Sequence, residues 1–219
     1  MLILNSAQTT QETILRWKKE HKVALIPTMG CLHEAHLDLV RHAKRYASKI
    51  VVSIFVNPLQ FGPGEDFDRY PRTFEEDKAK LEEAGVDLCF HPSERDLYPE
   101  GFSTSVRLGE LAEVLCGKFR PGHFDGVATV CLKLFNITQP DYAVFGEKDF
   151  QQLRVIQQLI HDFNLPVTII PHPTVRDTDG VALSSRNRYL STEGRQSAAA
   201  IPLALERART LVRENGLTK

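Results

Sequence analysis

The sequence predicts an α/β fold: a Rossmann-like, doubly wound parallel sheet followed by the start of a smaller C-terminal α+β domain. Three observations lead to this prediction. Short apolar segments alternate with helical patterns along most of the chain. The segment 50–56, IVVSIFV, is almost wholly apolar and β-branched, as is typical of a strand buried on both faces of a parallel sheet. The Pro- and Gly-rich stretches between elements are too short to be domain linkers and are interpreted as site loops.

The first elements in chain order are a helix, a strand, a helix and the strand at 50–56. Residues 9–20 have a helical pattern, with Thr9 and Glu12 spaced as a capping box. Residues 23–27 are a short apolar run that predicts a strand, and apolar residues then recur at helical spacing from about 32 to 47. Strand, helix and strand in sequence predict a βαβ unit with a right-handed crossover.

The alternation continues to residue 171. The patterns predict helices at 73–84, 126–137 and 148–163, and strands at 86–90, 142–145 and 167–171. Residues 101–118 are predicted as an extended piece followed by a short helix, and the sequence after Asn187 is helical. We therefore expect one domain over 1–175 and the N-terminal part of a smaller domain over 176–219.

Composition and charge argue against several classes of protein. The formal net charge of −1 provides no basic field of the kind that nucleic-acid-binding proteins have. No apolar run has the length of a membrane span, and residues 1–4 are too few for the apolar region of a signal peptide. The four cysteines show no CxxC spacing and indicate reduced thiols. The sequence predicts a cytoplasmic protein with no nucleic-acid or membrane partner.

Polar side chains follow several predicted strands at the points where the strands end. In open parallel sheets, ligands bind outside the carboxyl ends of the strands. The residues concerned are, strand by strand, Met29, Gly30, His33 and His36; Asn57 and Gln60; Gly146, Glu147, Lys148 and Asp149; and Val175, Arg176, Ser184, Ser185 and Arg186. We expect these amides, imidazoles, hydroxyls and cations to meet at one edge of the sheet.

His33 and His36 lie three residues apart at the start of a predicted helix, where they share a face beside free backbone N–H groups. A phosphate placed there meets the positive end of the helix dipole and two imidazole donors. A helix that merely carries two histidines is the commoner explanation of this pattern, and a metal pair is a second alternative. Because no CxxC or HExxH motif supplies further ligands, no metal site is predicted.

Two further groups have the chemistry of phosphate ligands. Lys148 stands in a predicted first helical turn, where a lysine is unexpected unless an anion binds there; Asp149 would then be free to bind ribose hydroxyls. A solvated helix start is the alternative. Ser184, Ser185 and Arg186 offer two hydroxyls and a guanidinium fork to a phosphate, although an ordinary polar loop is the better explanation of this short segment taken alone.

The remaining polar residues are less specific. Gln60 and Gln152 have amides that suit a hydroxy-acid substrate, with surface solvation as the alternative. The segment 62–64 is interpreted as a mobile flap or a surface turn. Glu76 and Asp77 are interpreted by default as part of an exposed acidic helix face, with outer-shell partners of a metal as the alternative. Neither GxxxxGK[ST] nor a strand-coupled GxGxxG occurs, which argues against a P-loop kinase and a dinucleotide oxidoreductase.

Six segments resemble the pantothenate synthetase family in order and spacing: IPTMGCLHEAH (26–36), VVSIFVNPLQF (51–61), RYPRT (69–73), FRPGHFDGV (119–127), FGEKDFQQL (145–153) and ALSSRNRYL (182–190). The resemblance implies a nucleotide-binding domain with an HxGH-like motif, a smaller lid domain, and a homodimer that uses ATP with Mg²⁺. It also implies that pantoate attacks the α-phosphate of ATP and that β-alanine then displaces AMP from pantoyl-adenylate. This ligase reaction belongs to pantothenate and coenzyme A biosynthesis.

The resemblance also implies roles for individual residues. The catalytic residues are implied to be His36, His33, Lys148 and Arg186. His36 matches a residue described as a proton donor, although a histidine that only stabilises charge would give the same sequence. Gln60 and Gln152 match residues that hold pantoate, and Gln60 also lies near β-alanine. The positions that match the ATP site are Met29, Gly30, Cys31, Leu32, His33, Glu34, Ala35, His36, Gly146, Glu147, Lys148, Asp149, Val175, Leu183, Ser184, Ser185 and Arg186.

The chain departs from the family pattern in two ways. The HxGH motif here has Ala35 in the glycine position, and its methyl group is expected to crowd a nucleotide packed against that turn. We therefore hypothesise weaker ATP binding than in a relative with glycine. The chain also ends about 30 residues after the SSRN segment, where the family continues into a complete second domain, so the lid is expected to be truncated or incomplete.

Two alternatives to the ligase remain open at this point. One is another nucleotidyltransferase of the same fold, which retains a nucleotidyl product. The other is a nucleotide-binding or metal-binding module without catalysis. Formation of AMP that requires β-alanine distinguishes the ligase from the first, and pantoate-dependent exchange of pyrophosphate into ATP distinguishes it from the second.

Overall fold

The computed structural model describes residues 1–216, so the end of the predicted second unit, 217–219, lies outside the described residues. The strands are β1 (Leu2–Leu4), β2 (Val23–Thr28), β3 (Lys49–Ile54), β4 (Leu88–Phe90), β5 (Tyr142–Gly146) and β6 (Thr168–His172). The helices are α1 (Ala7–Trp17), α2 (Glu34–Ala43), α3 (Phe74–Glu83), α4 (Glu94–Leu97), α5 (Cys116–Phe119), α6 (His123–Thr138), α7 (Phe150–Asp162), α8 (Thr192–Ala198) and α9 (Ala200–Glu214). Short 3₁₀ turns cover Pro58–Gln60, Glu110–Ala112, Glu147–Asp149 and Ser185–Tyr189.

The six strands form one sheet in the order β1-β4-β3-β2-β5-β6, and each neighbouring pair is parallel. From β2 the chain moves outwards to β3 and β4, then returns to the other side of β2 to add β5 and β6. The strand order therefore reverses between β2 and β5, which is where open α/β sheets bind ligands. The predicted Rossmann-like class is confirmed.

Helices cover both faces of this sheet, so the chain has two apolar cores. On one face Leu25, Val51 and Phe145 pack in a cluster with residues of α1, α6 and α7. On the other face Ile26 and Val52 pack in a cluster with residues of α2 and α3. Because successive strand residues point to opposite faces, both sets must be apolar, which accounts for the continuous apolar sequence of the central strands.

Several details differ from the sequence-based expectations. Helix α1 begins after Ser6, whose Oγ accepts the Thr9 N–H at 3.4 Å, so the predicted capping box at Thr9 and Glu12 is wrong. No sequence pattern predicts strand β1, because three residues are too few to show one; it is held by pairing with β4, with Leu2 opposite Leu88. The short helix predicted within 101–118 is present as α5, and residues 102–109, predicted as extended, belong to no strand or helix.

The C-terminal region is built differently from the sheet. Among the described residues, one isolated bridge lies outside the sheet, and it joins Arg176 and Ala182 in an antiparallel arrangement. Neither α8 nor α9 contains a buried residue. The division into units at 175 and 176 stays a prediction. No helix within 1–216 is long and apolar enough to cross a membrane.

Candidate active site

A cavity lies at the carboxyl ends of β2, β3, β5 and β6, across the point where the strand order reverses. Fourteen of the predicted site residues line it: Met29, His33, Ala35, His36, Gln60, Gly146, Lys148, Asp149, Gln152, Val175, Leu183, Ser184, Ser185 and Arg186. These residues are distant along the chain and converge because parallel strands deliver their C-terminal ends to the same edge. The structure therefore brings His36, Lys148 and Arg186 to a single cavity.

Five predicted residues lie outside the cavity lining. Gly30, Cys31 and Leu32 are buried beneath it, in the loop between β2 and α2. Glu34 is exposed and forms an ion pair with Arg41 on the same helix. Glu147 is exposed at the end of β5. Any role of these five residues in ATP binding stays a prediction.

The loop between β2 and α2 has an unusual backbone. Gly30 has a φ of +80°, and a Cβ atom there would lie 3.0 Å from Cγ2 of Ile54 and 3.1 Å from Oδ2 of Asp77, so only glycine fits without strain. Cys31 follows with a φ of +50°, a conformation that costs a non-glycine residue about 1–2 kcal/mol. Something in the surrounding structure must stabilise this loop.

Asp77 provides that stabilisation. Its side chain has no exposed surface, and its two oxygens accept the backbone N–H groups of Cys31 at 2.8 Å and Leu32 at 2.7 Å. The Thr73 hydroxyl donates a third, longer hydrogen bond of 3.3 Å to the same carboxylate. The interpretation of Asp77 as an exposed acidic residue is wrong, because α3 turns this carboxylate inwards to hold the loop that precedes α2.

The hydrogen bond between the two histidines indicates which ring nitrogen of neutral His36 carries its hydrogen. The His33 N–H donates to Nδ1 of His36 at 3.3 Å, and the two rings lie 4.1 Å apart between centroids. A neutral imidazole has one N–H, and Nδ1 of His36 acts as an acceptor. Its hydrogen must therefore be on Nε2. Nδ1 of His33 is buried and has no hydrogen-bond partner among residues 1–216, so it is an unsatisfied polar atom beside the cavity.

Both histidines are neutral at physiological pH in this structure. Burial, reinforced by His33 and Lys148, lowers the pKa of His36 from its usual 6.5 to about 3. Burial is also the main cause that lowers the pKa of His33 to about 4, followed by the charge of Lys148. Before an anion binds, His36 is therefore a neutral imidazole that can donate a hydrogen bond from Nε2. A bound polyphosphate would raise both pKa values, because an anion favours the charged imidazolium.

Lys148 supplies a cation at the end of β5. It lies in the 3₁₀ turn Glu147–Asp149, and its Nζ is 3.3 Å from Oδ1 of Asp149. Both side chains are substantially exposed, so this pair is weak and solvated. The ammonium group can exchange its contact with Asp149 for a stronger anion.

Arg186 supplies a second cation, held by the loop that follows β3. Its Nε and Nη2 each donate to the Asp66 carboxylate at 2.8 Å, a bidentate pair, and its guanidinium lies 5.4 Å from the centre of the Tyr70 ring. The Tyr70 hydroxyl is 3.0 Å from Oγ of Ser185. This pairing lowers the pKa of Asp66, so the carboxylate is charged at neutral pH.

Some residues that shape the site were not singled out from the sequence. They include Asp66, Tyr70, Tyr98 and His172, while Asp77 was interpreted only as part of an exposed helix face. An acidic residue in the first turn of a helix has the same sequence signature whether it is solvated or turned inwards, so no local pattern distinguishes Asp77. Tyr70 lies in the RYPRT segment (69–73), and Asp66 lies just before it. The resemblance of that segment to the family was the sequence feature that could have indicated both residues.

Comparisons with known proteins agree with this arrangement. The family model described as pantoate-beta-alanine ligase matches residues 2–218. This chain belongs to that family. It is 54% identical over 213 residues to the pantothenate synthetase of Caldicellulosiruptor bescii, covering 97% of this chain and 76% of the relative. The resemblance predicted from the sequence motifs, and the ligase class it implies, are confirmed.

Two solved structures of family members are similar over most of the chain. The pantothenate synthetase of Thermus thermophilus is 48% identical with a TM-score of 0.94, over 99% of this chain and 77% of that one. The pantoate-beta-alanine ligase of Francisella tularensis, complexed with beta-gamma ATP and beta-alanine, is 40% identical with a TM-score of 0.89, over 94% of this chain and 79% of that one. Both are members of the pantoate-beta-alanine ligase family, the family to which this chain belongs.

Proposed function

We propose that this chain joins pantoate to β-alanine at the expense of ATP, forming pantothenate, AMP and pyrophosphate through a pantoyl-adenylate. The observation that carries this proposal is the single cavity in which His36, Lys148, Arg186 and Gln60 meet at the switch point of the sheet. Membership of the family and the ATP and β-alanine complex of the Francisella tularensis relative support it.

In the first step a carboxylate oxygen of pantoate attacks the α-phosphorus of ATP, and the bond to the β-phosphate oxygen breaks to release pyrophosphate. Negative charge gathers on the phosphoryl oxygens, so catalysis depends on fixed donors rather than on proton transfer. Nε2–H of His36, the ammonium group of Lys148 and the guanidinium of Arg186 are the donors we assign to this charge. The positive end of the α2 dipole adds to them, although the His36 N–H is itself bonded to the His33 carbonyl at 2.8 Å.

In the second step the amine of β-alanine attacks the acyl carbon of pantoyl-adenylate, and the bond from that carbon to the AMP oxygen breaks. The nitrogen loses a proton and AMP leaves with the electron pair. We assign Gln60 and Gln152 to hold pantoate through their amides, with Gln60 also beside β-alanine. The other positions matched to the ATP site, including Val175 beside the adenine, keep the roles that the resemblance implies.

Mg²⁺ is proposed as the partner of the triphosphate. Mg²⁺ usually binds through one or two carboxylates, substrate phosphates and water, so it does not need a cage of protein ligands. Within residues 1–216 no group of three or more histidines, cysteines or carboxylates could hold a metal, whereas Asp149 places one carboxylate at the cavity. These residues fit a phosphate-bound Mg²⁺, which neutralises charge on the phosphates when bound.

The same proposal includes the setting of the enzyme. We propose a homodimer in the cytoplasm, with residues 1–175 as the nucleotide-binding domain and the segment from 176 as the beginning of a lid. Helices α8 and α9 contain no buried residue and so do not contribute to the core of the sheet, which supports a boundary between two units at 175 and 176. The lid is assigned the task of keeping water away from the adenylate.

The test is pantoate-dependent exchange of labelled pyrophosphate into ATP, which reports the first step alone. We expect exchange that requires pantoate and Mg²⁺, and AMP formation that additionally requires β-alanine. Lys148→Met should lower the exchange rate by about 100-fold or more, since removal of one transition-state donor typically has that effect. Lys19→Met, which removes an exposed lysine after α1, is the matched control and should retain the rate.

Other outcomes identify the alternatives. Exchange without any need for pantoate would indicate a different nucleotidyltransferase. Binding of ATP without exchange in the presence of pantoate would indicate a module without catalysis. Equal loss of exchange in Lys148→Met and Lys19→Met would remove Lys148 from the site.

A further inference from the structure

Tyr98 lies outside the cavity but is hydrogen-bonded to the residue that holds Gln60. It follows α4, its ring packs at 4.9 Å from that of Phe102, and its hydroxyl donates to Oδ1 of Asn57 at 2.8 Å. Burial raises the pKa of Tyr98 far above its ordinary value, so the hydroxyl keeps its proton at physiological pH and can act as a donor.

The bond from Tyr98 and two bonds with the backbone together fix the orientation of the Asn57 amide. Oδ1 accepts the Leu59 N–H at 3.3 Å, and Nδ2 donates to the Gly126 carbonyl at 3.1 Å. A backbone N–H can only donate and a backbone carbonyl can only accept, so the two ends of the amide cannot be exchanged. The second hydrogen on Nδ2 is directed at Oε1 of Gln60, at 3.0 Å.

The orientation of Asn57 then determines that of Gln60. Because Oε1 of Gln60 accepts from Asn57, its Nε2 is the end at the cavity, where it lies 3.2 Å from Sδ of Met29, a weak acceptor. The main chain of Gln60 is fixed as well, since its carbonyl is 2.8 Å from Nδ1 of His123. Helix α6 approaches so closely that a Cβ on Gly126 would lie 2.1 Å from the Leu59 carbonyl oxygen.

We infer that Tyr98 is a positioning residue: through Asn57 it holds the Gln60 amide with its N–H groups towards the cavity, so that Gln60 selects an oxygen that accepts hydrogen bonds. A carboxylate or hydroxyl oxygen of a hydroxy acid satisfies this requirement, whereas a group that can only donate would face another donor. The identity of that acid rests on the proposed function. The orientation of Gln60 does not depend on it.

The kinetic test uses Tyr98→Phe, which removes the hydroxyl and keeps the ring. In pantoate-dependent pyrophosphate exchange we expect the KM for pantoate to rise about fivefold to tenfold, with kcat nearly unchanged, as for the loss of one hydrogen bond. In a Gln60→Met background, which has no amide to orient, the same substitution should change the KM less than twofold. Phe102→Leu disturbs the neighbouring ring without touching the hydrogen bonds and should leave the KM unchanged.

A second measurement does not depend on catalysis. The side-chain NH₂ signals of Asn57 and Gln60, assigned with Asn57→Asp and Gln60→Glu, should exchange with solvent slowly in the wild type and faster in Tyr98→Phe. Phe102→Leu should not change them. Unchanged exchange in Tyr98→Phe, or an equal rise in the KM with and without the Gln60 amide, would overturn the inference. If the amide signals respond but the wild type performs no pyrophosphate exchange, the positioning stands and the proposed function fails.

Discussion

Two segments on opposite sides of the cavity carry the proposed phosphate ligands, and they are held in different ways. The loop before α2 is fixed from below: Asp77, fully buried, accepts two backbone N–H groups and thereby places His33 and His36. In the segment 183–186 Ser185 is buried and Arg186 is exposed, and the Arg186 guanidinium is held by Asp66, a residue of another loop. One side of the site is part of the core, and the other is attached by side chains.

The two sides therefore differ in how strongly their contacts hold the proposed phosphate ligands. Hydrogen bonds to a buried carboxylate are strong, because water cannot replace them and an unmade one leaves an unsatisfied buried group. The Arg186–Asp66 pair is bidentate, but the Arg186 side chain is 43% exposed, so solvent screens the pair and lowers its contribution to stability. We expect the α2 side to keep its geometry with or without substrate, and the Arg186 side to depend on Asp66 for the position of its guanidinium.

The largest effect is expected for Asp77→Asn. The amide can accept only one of the two N–H groups at Cys31 and Leu32, and its NH₂ faces the other, so a buried donor loses its partner. We expect the free energy of unfolding, measured in urea, to fall by about 3 kcal/mol. Because His33 and His36 follow directly, kcat/KM for pyrophosphate exchange should fall at least 100-fold, in line with the loss of fixed donors.

Asp87→Asn is the matched control for this change. The Asp87 carboxylate also accepts a backbone N–H, that of Ile50 at 2.8 Å, but at the opposite, amino ends of the strands. It should lower stability and leave kcat/KM within about twofold of the wild type, since it acts far from the donors assigned to catalysis. Full exchange activity in folded Asp77→Asn would show that the buried carboxylate does not determine the geometry of the histidines.

The sheet and the location of the cavity could be predicted from the sequence, for a physical reason. The spacing of apolar residues and the turn-forming residues that follow them indicate where each strand ends. Parallel strands bring those ends together, so the order of the strands and loops along the chain was enough to predict that His36 and Lys148 converge. What holds each residue could not be predicted in the same way. The inward direction of Asp77 and the pairing of Asp66 with Arg186, 120 residues apart, depend on tertiary contacts.

The Arg186 side should respond differently to the loss of its carboxylate. Asp66→Asn removes the charge that orients the guanidinium, so the KM for ATP should rise about fivefold, with the unfolding free energy within about 1 kcal/mol of the wild type. The control is Asp179→Asn, which weakens a comparable exposed pair with Arg195 that does not line the cavity. A lower KM in Asp66→Asn would mean that Asp66 competes with the nucleotide instead of positioning Arg186.

The smallest effect is expected for a substitution of Ala35, on the α2 side of the cavity. Ala35 lines the cavity in the first turn of α2, between His33 and His36. Ala35→Gly removes the methyl group that we expect to crowd ATP, so the KM for ATP should fall about twofold to fivefold, while the helix loses about 0.5–1 kcal/mol of stability. Ala79→Gly, at an exposed position of α3, should have the same stability cost without any change in KM. An unchanged KM in Ala35→Gly would mean that the rigid loop already leaves room for the methyl group, and the weaker ATP binding inferred from the sequence would then be wrong.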